Sequence, residues 1–224
     1  MGVKNYQEQN VYEASLERIR YCFKNYDKIA VSFSGGKDST VVLNLALQVA
    51  KEQNKLPLDV IFFDEEIIDP PTHEYAQRVS DNKDVNMHWL CLEWKHRNAC
   101  SNEEPFWYCW DADKKDKWVR ELPKNAITKH KRWNKGMSFQ DFAHYYFDKE
   151  VGSVCYLTGV RTQESLRRLR VITSKHNDSY IQSSATWNSV LAHPVYDWSS
   201  EDVWLGVHKF CLLYTSPSPR DVRS

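Results

Sequence analysis

The feature that most constrains this chain is the string Ser34-Gly35-Gly36-Lys37-Asp38-Ser39, set between two apolar segments of different character. Before it, Lys28-Ile29-Ala30-Val31-Ser32-Phe33 reads as a short strand. After it, residues 38–53 read as a helix apolar on most sides, and therefore buried. A glycine pair at such a junction lets the backbone turn sharply and present amides to an anion, while the helix N-terminus adds partial positive charge. Leu58-Asp59-Val60-Ile61-Phe62-Phe63 then forms a nearly unbroken apolar run, the pattern of a parallel strand covered on both faces. Strand, glycine turn, helix and strand make a βαβ unit, so an α/β fold with a doubly wound, mostly parallel sheet is expected.

The rest of the chain fits around that unit. Tyr12, Leu16, Ile19 and Phe23 lie on one stripe of a helix predicted over 7–25. Pro70 and Pro71 open a helix predicted over 72–79, a third strand is predicted over 85–92, and another over 154–158. A basic helix is expected from Thr162 to Ile172. Ser199 and Asp202 have capping-box spacing ahead of a last helix. Residues 94–150 are rich in aromatic and lysine residues without clean periodicity, as in Phe106-Trp107-Tyr108-Cys109-Trp110, and read as an insertion or lid outside the sheet.

Composition excludes several classes. Thirty basic residues balance thirty acidic ones, so an anion site must be local rather than the work of a global field. The first residues lack a signal-peptide core and no run reaches the roughly eighteen apolar residues of a membrane span, so a cytoplasmic protein with reduced thiols is expected. The six cysteines form no CxxC pair, and the eight histidines form no HExxH motif. Residues 211–224 match a conceptual translation of a sequencing-library adapter. They are treated as an artefactual tail on a domain of residues 1–210, which puts the native C-terminus out of reach.

SGGKDS is not a Walker A loop, because Asp38 follows the lysine where that motif has Ser or Thr. With its flanking strand and helix, it resembles the signature of PP-loop ATP pyrophosphatases and of phosphoadenosine phosphosulfate (PAPS) reductases. Thr158-Gly159-Val160-Arg161-Thr162-Gln163-Glu164-Ser165-Leu166-Arg167-Arg168 resembles a second element of that family, and Pro194-Val195-Tyr196-Asp197-Trp198 with Asp202-Val203-Trp204 a third. The resemblance spans residues 28–208. It implies an adenine nucleotide alpha hydrolase-like, Rossmann-like fold that binds ATP or PAPS with Mg²⁺.

By physical role, the amides of Gly35 and Gly36 and the hydroxyls of Ser34 and Ser39 suit phosphate oxygens, and Lys37 suits their charge. Asp38 suits either Mg²⁺ or the cap of its own helix. Asp64, at the end of the second strand, is expected near the nucleoside, while Gly159, Arg161, Glu164 and Arg168 form a second anion-binding element in which Arg161 is the principal ligand. Lys37, Asp38 and Arg161 are the candidate catalytic residues. Where the family has Asp-Thr-Gly, this chain has Asp64-Glu65-Glu66, and the Glu-Cys-Gly redox element of PAPS reductases is absent, so a divergent branch is implied. Three functions remain open: adenylyl transfer to an unknown second substrate with pyrophosphate release, PAPS reduction or sulfo transfer, and a non-enzymatic nucleotide-sensing or DNA-associated subunit. Aromatic residues among lysines in 94–150 leave nucleic acid as a weaker alternative partner.

Overall fold

A computed structural model describes residues 8–147, 149–173, 180–183 and 188–209. The tail over 211–224 lies outside the described residues, as does Cys211. Helix α1 (Val11–Asn25) begins four residues after the predicted start at 7, because the Asn10 side chain accepts from the Glu13 amide at 2.9 Å and caps it. Strand β1 (Lys28–Phe33), helix α2 (Lys37–Glu52) and strand β2 (Leu58–Phe63) follow as the pattern predicts. Helix α3 (Pro70–Ser80) takes both prolines into its first turn, with Asp69 as its cap, and strand β3 is Val85–Leu90.

Among the described residues the central sheet has seven strands. β1 pairs in parallel with β2, and β2 with β3, while β7 (Val154–Leu157) lies on the other side of β1 and is also parallel to it. β9 (Ser189–Ala192) continues the parallel set beyond β7, and β8 (Ile181–Ser183) closes that side as an antiparallel edge. A doubly wound, mostly parallel arrangement is thus present. Because β2, β1 and β7 run the same way, the turns after Phe63, Phe33 and Leu157 all emerge at one sheet edge, where open α/β sheets take ligands.

One face is helical. α2 packs on β1 and between α1 and α6 (Ser200–Lys209), while Phe33 meets Tyr75 of α3 edge-on at 5.7 Å. Ser199 and Asp202 form the expected capping box, each backbone amide meeting the other side chain at 2.7 and 3.0 Å. None of the described helices is long and apolar enough to cross a membrane.

The other face departs from expectation. Residues 94–150 do not stand apart from the sheet, because β6 (Ala126–Ile127) joins it as a parallel neighbour of β3. The same segment carries a two-stranded ribbon, β4 (Lys95–Arg97) with β5 (Phe106–Tyr108), and a short helix α4 (Phe139–Ala143). Phe139 meets Phe63 of β2 at 5.6 Å, Tyr146 meets His88 of β3 at 5.3 Å, and Phe147 meets Tyr156 of β7 at 6.2 Å. Aromatic rings cover sheet area that helices cover in a regular doubly wound fold, so they need no helical period to be buried. The predicted helix over 162–172 is also broken. Thr162–Glu164 is a 3-10 turn, Ser165 is extended, and α5 (Leu166–Thr173) starts afresh, with the Ser165 hydroxyl accepting from the Arg168 amide at 3.2 Å.

Candidate functional site

The loop between β1 and α2 is built to leave a helix end open. Gly35 has φ +75°, and a Cβ there would stand 2.6 Å from the Thr72 methyl of α3. Gly36 occupies the N-cap of α2, and no side chain caps the helix. The first-turn amides of this 16-residue helix therefore receive no acceptor from the cap side chain, while the Gly36 amide itself donates to the Ser34 hydroxyl at 3.4 Å. Ser39 is a strut: its hydroxyl donates to the Gly36 carbonyl at 2.9 Å, accepts from the Ser34 amide at 3.2 Å and lies 3.0 Å from the Ser34 hydroxyl. Ser34 is exposed and Ser39 buried, so of the two predicted phosphate ligands Ser34 is the accessible one. Gly35→Ala should destabilise the fold by about 2 to 4 kcal/mol, since it adds both a left-handed alanine and an overlap with Thr72. Urea denaturation will show this, and Thr72→Ser in the same chain should recover part of the loss.

The second glycine turn closes on the first. A Cβ on Gly159 would come within 2.7 Å of the Asp38 carbonyl carbon and of the Ser39 amide nitrogen, so only glycine lets the β7 turn lie against the first turn of α2. Arg161, 3% exposed, donates from Nε to Asp38 Oδ1 at 2.6 Å and from Nη1 to the Trp198 carbonyl at 3.3 Å. Its Nη2 stands 3.9 Å from Glu164, which also pairs with Arg168. Lys37 Nζ lies 3.7 Å from the other Asp38 oxygen. The structure thus gathers Ser34, Gly35, Gly36, Lys37, Asp38, Ser39, Gly159, Arg161, Glu164 and Arg168 around two touching turns. Within that cluster, the Arg161 fork is engaged inside the protein, as the brace of Asp38.

Asp38 as a Mg²⁺ ligand fits poorly. One of its oxygens is held by Arg161 and the other faces Lys37, so two cations already neutralise it. Among the described residues no group of three or more His, Cys, Asp or Glu is placed to hold a metal ion. Mg²⁺ that arrives with phosphates usually takes one or two carboxylates from the protein, and the carboxylate of this loop already faces two cations.

Asp64 does not join the cluster through its carboxylate. It is fully buried, accepting from the Trp89 indole at 2.7 Å and the Glu66 amide at 2.8 Å, and forming an ion pair with Arg120. Its carbonyl accepts from the Trp110 indole at 2.9 Å. Glu66, at φ +62°, accepts from the Trp110 amide at 2.6 Å and the Val119 amide at 3.1 Å. Asp64 and Glu66 therefore fasten residues 110–120 to the end of β2. Sequence marks Glu66 at the strand end and Trp110 within the aromatic run, without this role, and does not mark Arg120, which neither periodicity nor a motif picks out.

His193, also not singled out, follows β9 next to the Gly159 turn. It is buried, its Nδ1 lies 2.5 Å from the Thr158 hydroxyl, and burial with help from Arg168 pushes its pKa down to about 4. The unfolded chain takes up a proton below pH ~6.5 and the folded one does not, so this contribution to stability is intact above that pH and lost as pH falls toward 4. The loss should be on the order of 3 kcal/mol, and denaturation midpoints at pH 7 and 4.5 for the wild type and His193→Asn will show the steeper fall in the wild type.

The family model of the phosphoadenosine phosphosulfate reductase domain matches residues 28–216. The chain belongs to this family. As a PAPS reductase family member it is 31% identical over 212 residues to the uncharacterised protein YbdN of Escherichia coli (strain K12), a match over 87% of this chain and 51% of that protein. An uncharacterised Methanocaldococcus jannaschii protein is 28% identical over 193 residues, covering 85% of this chain and 38% of its own length. The chain thus spans about half the length, or less, of the curated relatives it matches. Among solved structures, PAPS reductase from Candida auris is similar at a TM-score of 0.48 and 15% identity, over 94% of this chain and 90% of that one. The Candida glabrata FMN adenylyltransferase in complex with ATP is similar at 0.47 and 13%, over 91% and 58%.

Proposed function

We propose that this PAPS reductase family member binds ATP across the Ser34–Ser39 loop and transfers its adenylyl group to a second substrate, releasing pyrophosphate. The observation that carries the reading is the open N-terminus of α2, held rigid by the Asp38–Arg161 pair and by Gly159 against its first turn. Backbone amides in the first turn would take phosphate oxygens, with Lys37 and the helix end meeting their charge. A substrate oxygen attacks the α-phosphorus, releasing any proton to water. As the new O–P bond forms, the bond to the bridging oxygen breaks and pyrophosphate departs with the electron pair.

Reduction or sulfo transfer from PAPS is the competing chemistry, and the buried thiols Cys22, Cys91, Cys109 and Cys155 are shut away from a reductive step. Burial pushes Cys91 and Cys109 far above the ordinary thiol range, and Cys155 is raised by its contact with Cys22 and by burial. Cys100 is the exposed thiol among the described residues. ATP turnover with stoichiometric pyrophosphate release supports adenylyl transfer. Binding of ATP without release supports a nucleotide sensor, and tighter binding of PAPS than of ATP supports the competing chemistry. Lys37→Ala should weaken ATP binding by about 2 to 4 kcal/mol in titration calorimetry, and undiminished affinity would remove the loop from the site.

A further inference from the structure

Residues 111–135 hold nine Lys or Arg against four Asp or Glu, in a chain whose charges balance overall, and they border a cavity that the nucleotide reading does not use. The cavity has a volume of about 610 Å³, within the range of small-molecule sites. It lies past the carboxyl ends of β3 and β6. Cys91 follows β3 and donates its amide to the Ile127 carbonyl at 3.0 Å, while Thr128, Lys129 and His130 follow β6. Because β2 stands between β1 and β3, strand spacing puts it roughly 10 Å or more from the glycine turn along the same sheet edge.

Two indoles set its shape. Trp118 and Trp133 are half-buried and both line the cavity. Each is braced by a buried indole at a steep angle, Trp118 by Trp110 at 5.2 Å and 86°, and Trp133 by Trp94 at 4.5 Å and 73°. Trp118 is fixed further, because its indole N–H donates to the Asp111 carbonyl at 3.0 Å and the next amide, that of Val119, donates to Glu66. Flat walls held in place before a ligand arrives favour a flat ligand, which loses little freedom on stacking. The rim sets the sign of its charge. Lys115 and Lys129 are exposed there, neither is in an ion pair among the described residues, and Lys115 Nζ lies 5.6 Å from the centre of the Trp118 ring. Glu93 also borders the cavity, but Lys135 Nζ at 3.1 Å and the Ala112 amide at 3.1 Å already answer its carboxylate.

We propose that this cavity is a separate binding site for a small planar aromatic anion, its ring against Trp118 and Trp133 and its carboxylate or phosphate at Lys115 and Lys129. It is independent of the nucleotide reading. The test is titration calorimetry on the whole chain with 2-naphthoate, 2-naphthyl phosphate, the neutral 2-naphthamide and the saturated decahydronaphthalene-2-carboxylate, each with and without ATP. One equivalent of at least one aromatic anion should bind about threefold or more tighter than either control, and the tighter of the two anions identifies the head group. Trp118→Leu, which keeps the wall apolar and removes its flat face, should weaken that binding about tenfold or more. Lys115→Glu combined with Lys129→Glu, at two exposed positions that do not support the fold, should weaken it as much, and this pair decides the matter if Trp118→Leu fails to fold. Lys37→Ala should leave it unchanged, so loss of the nucleotide site and loss of this one are told apart. Absence of binding for both aromatic anions, equal affinity for either control, unweakened binding in the charge-reversed pair, or displacement by ATP overturns the proposal.

Discussion

Replacing Arg161 by alanine should lower the unfolding free energy by about 3 to 5 kcal/mol, because it leaves the Asp38 carboxylate, largely enclosed, without its main counter-charge. The Trp198 carbonyl loses its donor from Arg161 in the same step. A residue that served only to hold a ligand would cost affinity and little stability. Urea denaturation without nucleotide therefore separates the two roles. Arg161→Met combined with Asp38→Asn should recover much of the loss, since neither partner is then left charged and buried, and the coupling from the double-mutant cycle should exceed 1 kcal/mol as an order of magnitude. A single mutant as stable as the wild type would mean that Arg161 is free to meet a phosphate directly.

Asp64→Ala should be comparably severe, at about 3 to 5 kcal/mol, for a different reason. Four donors converge on that carboxylate, from Trp89, Glu66, Arg120 and the Cys91 thiol, and alanine satisfies none of them. The damage should be local first: hydrogen exchange should rise over 110–120 before it rises in β1 or β2. Weaker nucleotide binding with unchanged exchange would return Asp64 to the role expected from its place at the strand end.

The strands and turns of this chain are legible because burial on both faces writes itself as an unbroken apolar run, as in Leu58–Phe63, and because a left-handed turn requires glycine, as at Gly35. The capping box at Ser199 and Asp202 is equally local and equally readable. β6 is not, because two residues pairing with the edge of β3 carry no period of their own. The break at Ser165 was hidden for a related reason: a hydroxyl able to cap a helix is also tolerated inside one. Arg161 is recognisable as a site residue by its motif, yet its partner lies 123 positions away, and residue type alone does not distinguish a guanidinium that meets a ligand from one that meets a carboxylate. The aromatic insertion shows the same limit, since rings packed on a sheet need shape rather than spacing.

The position of β1 between β2 and β7 has a consequence for how the protein is made. A ribosome emits β1, α2 and β2 early, and these can pair at once, but the other edge of β1 stays open until residues 154–157 emerge. Throughout that interval Asp38 has been synthesised and Arg161 has not, and the Trp198 carbonyl that steadies Arg161 comes later still. The nascent chain therefore carries an exposed apolar strand edge in the centre of its future sheet, the state most prone to pairing with another chain. Translation speed across residues 64–153, and chaperone access during it, should govern the yield of folded protein more than any local propensity does.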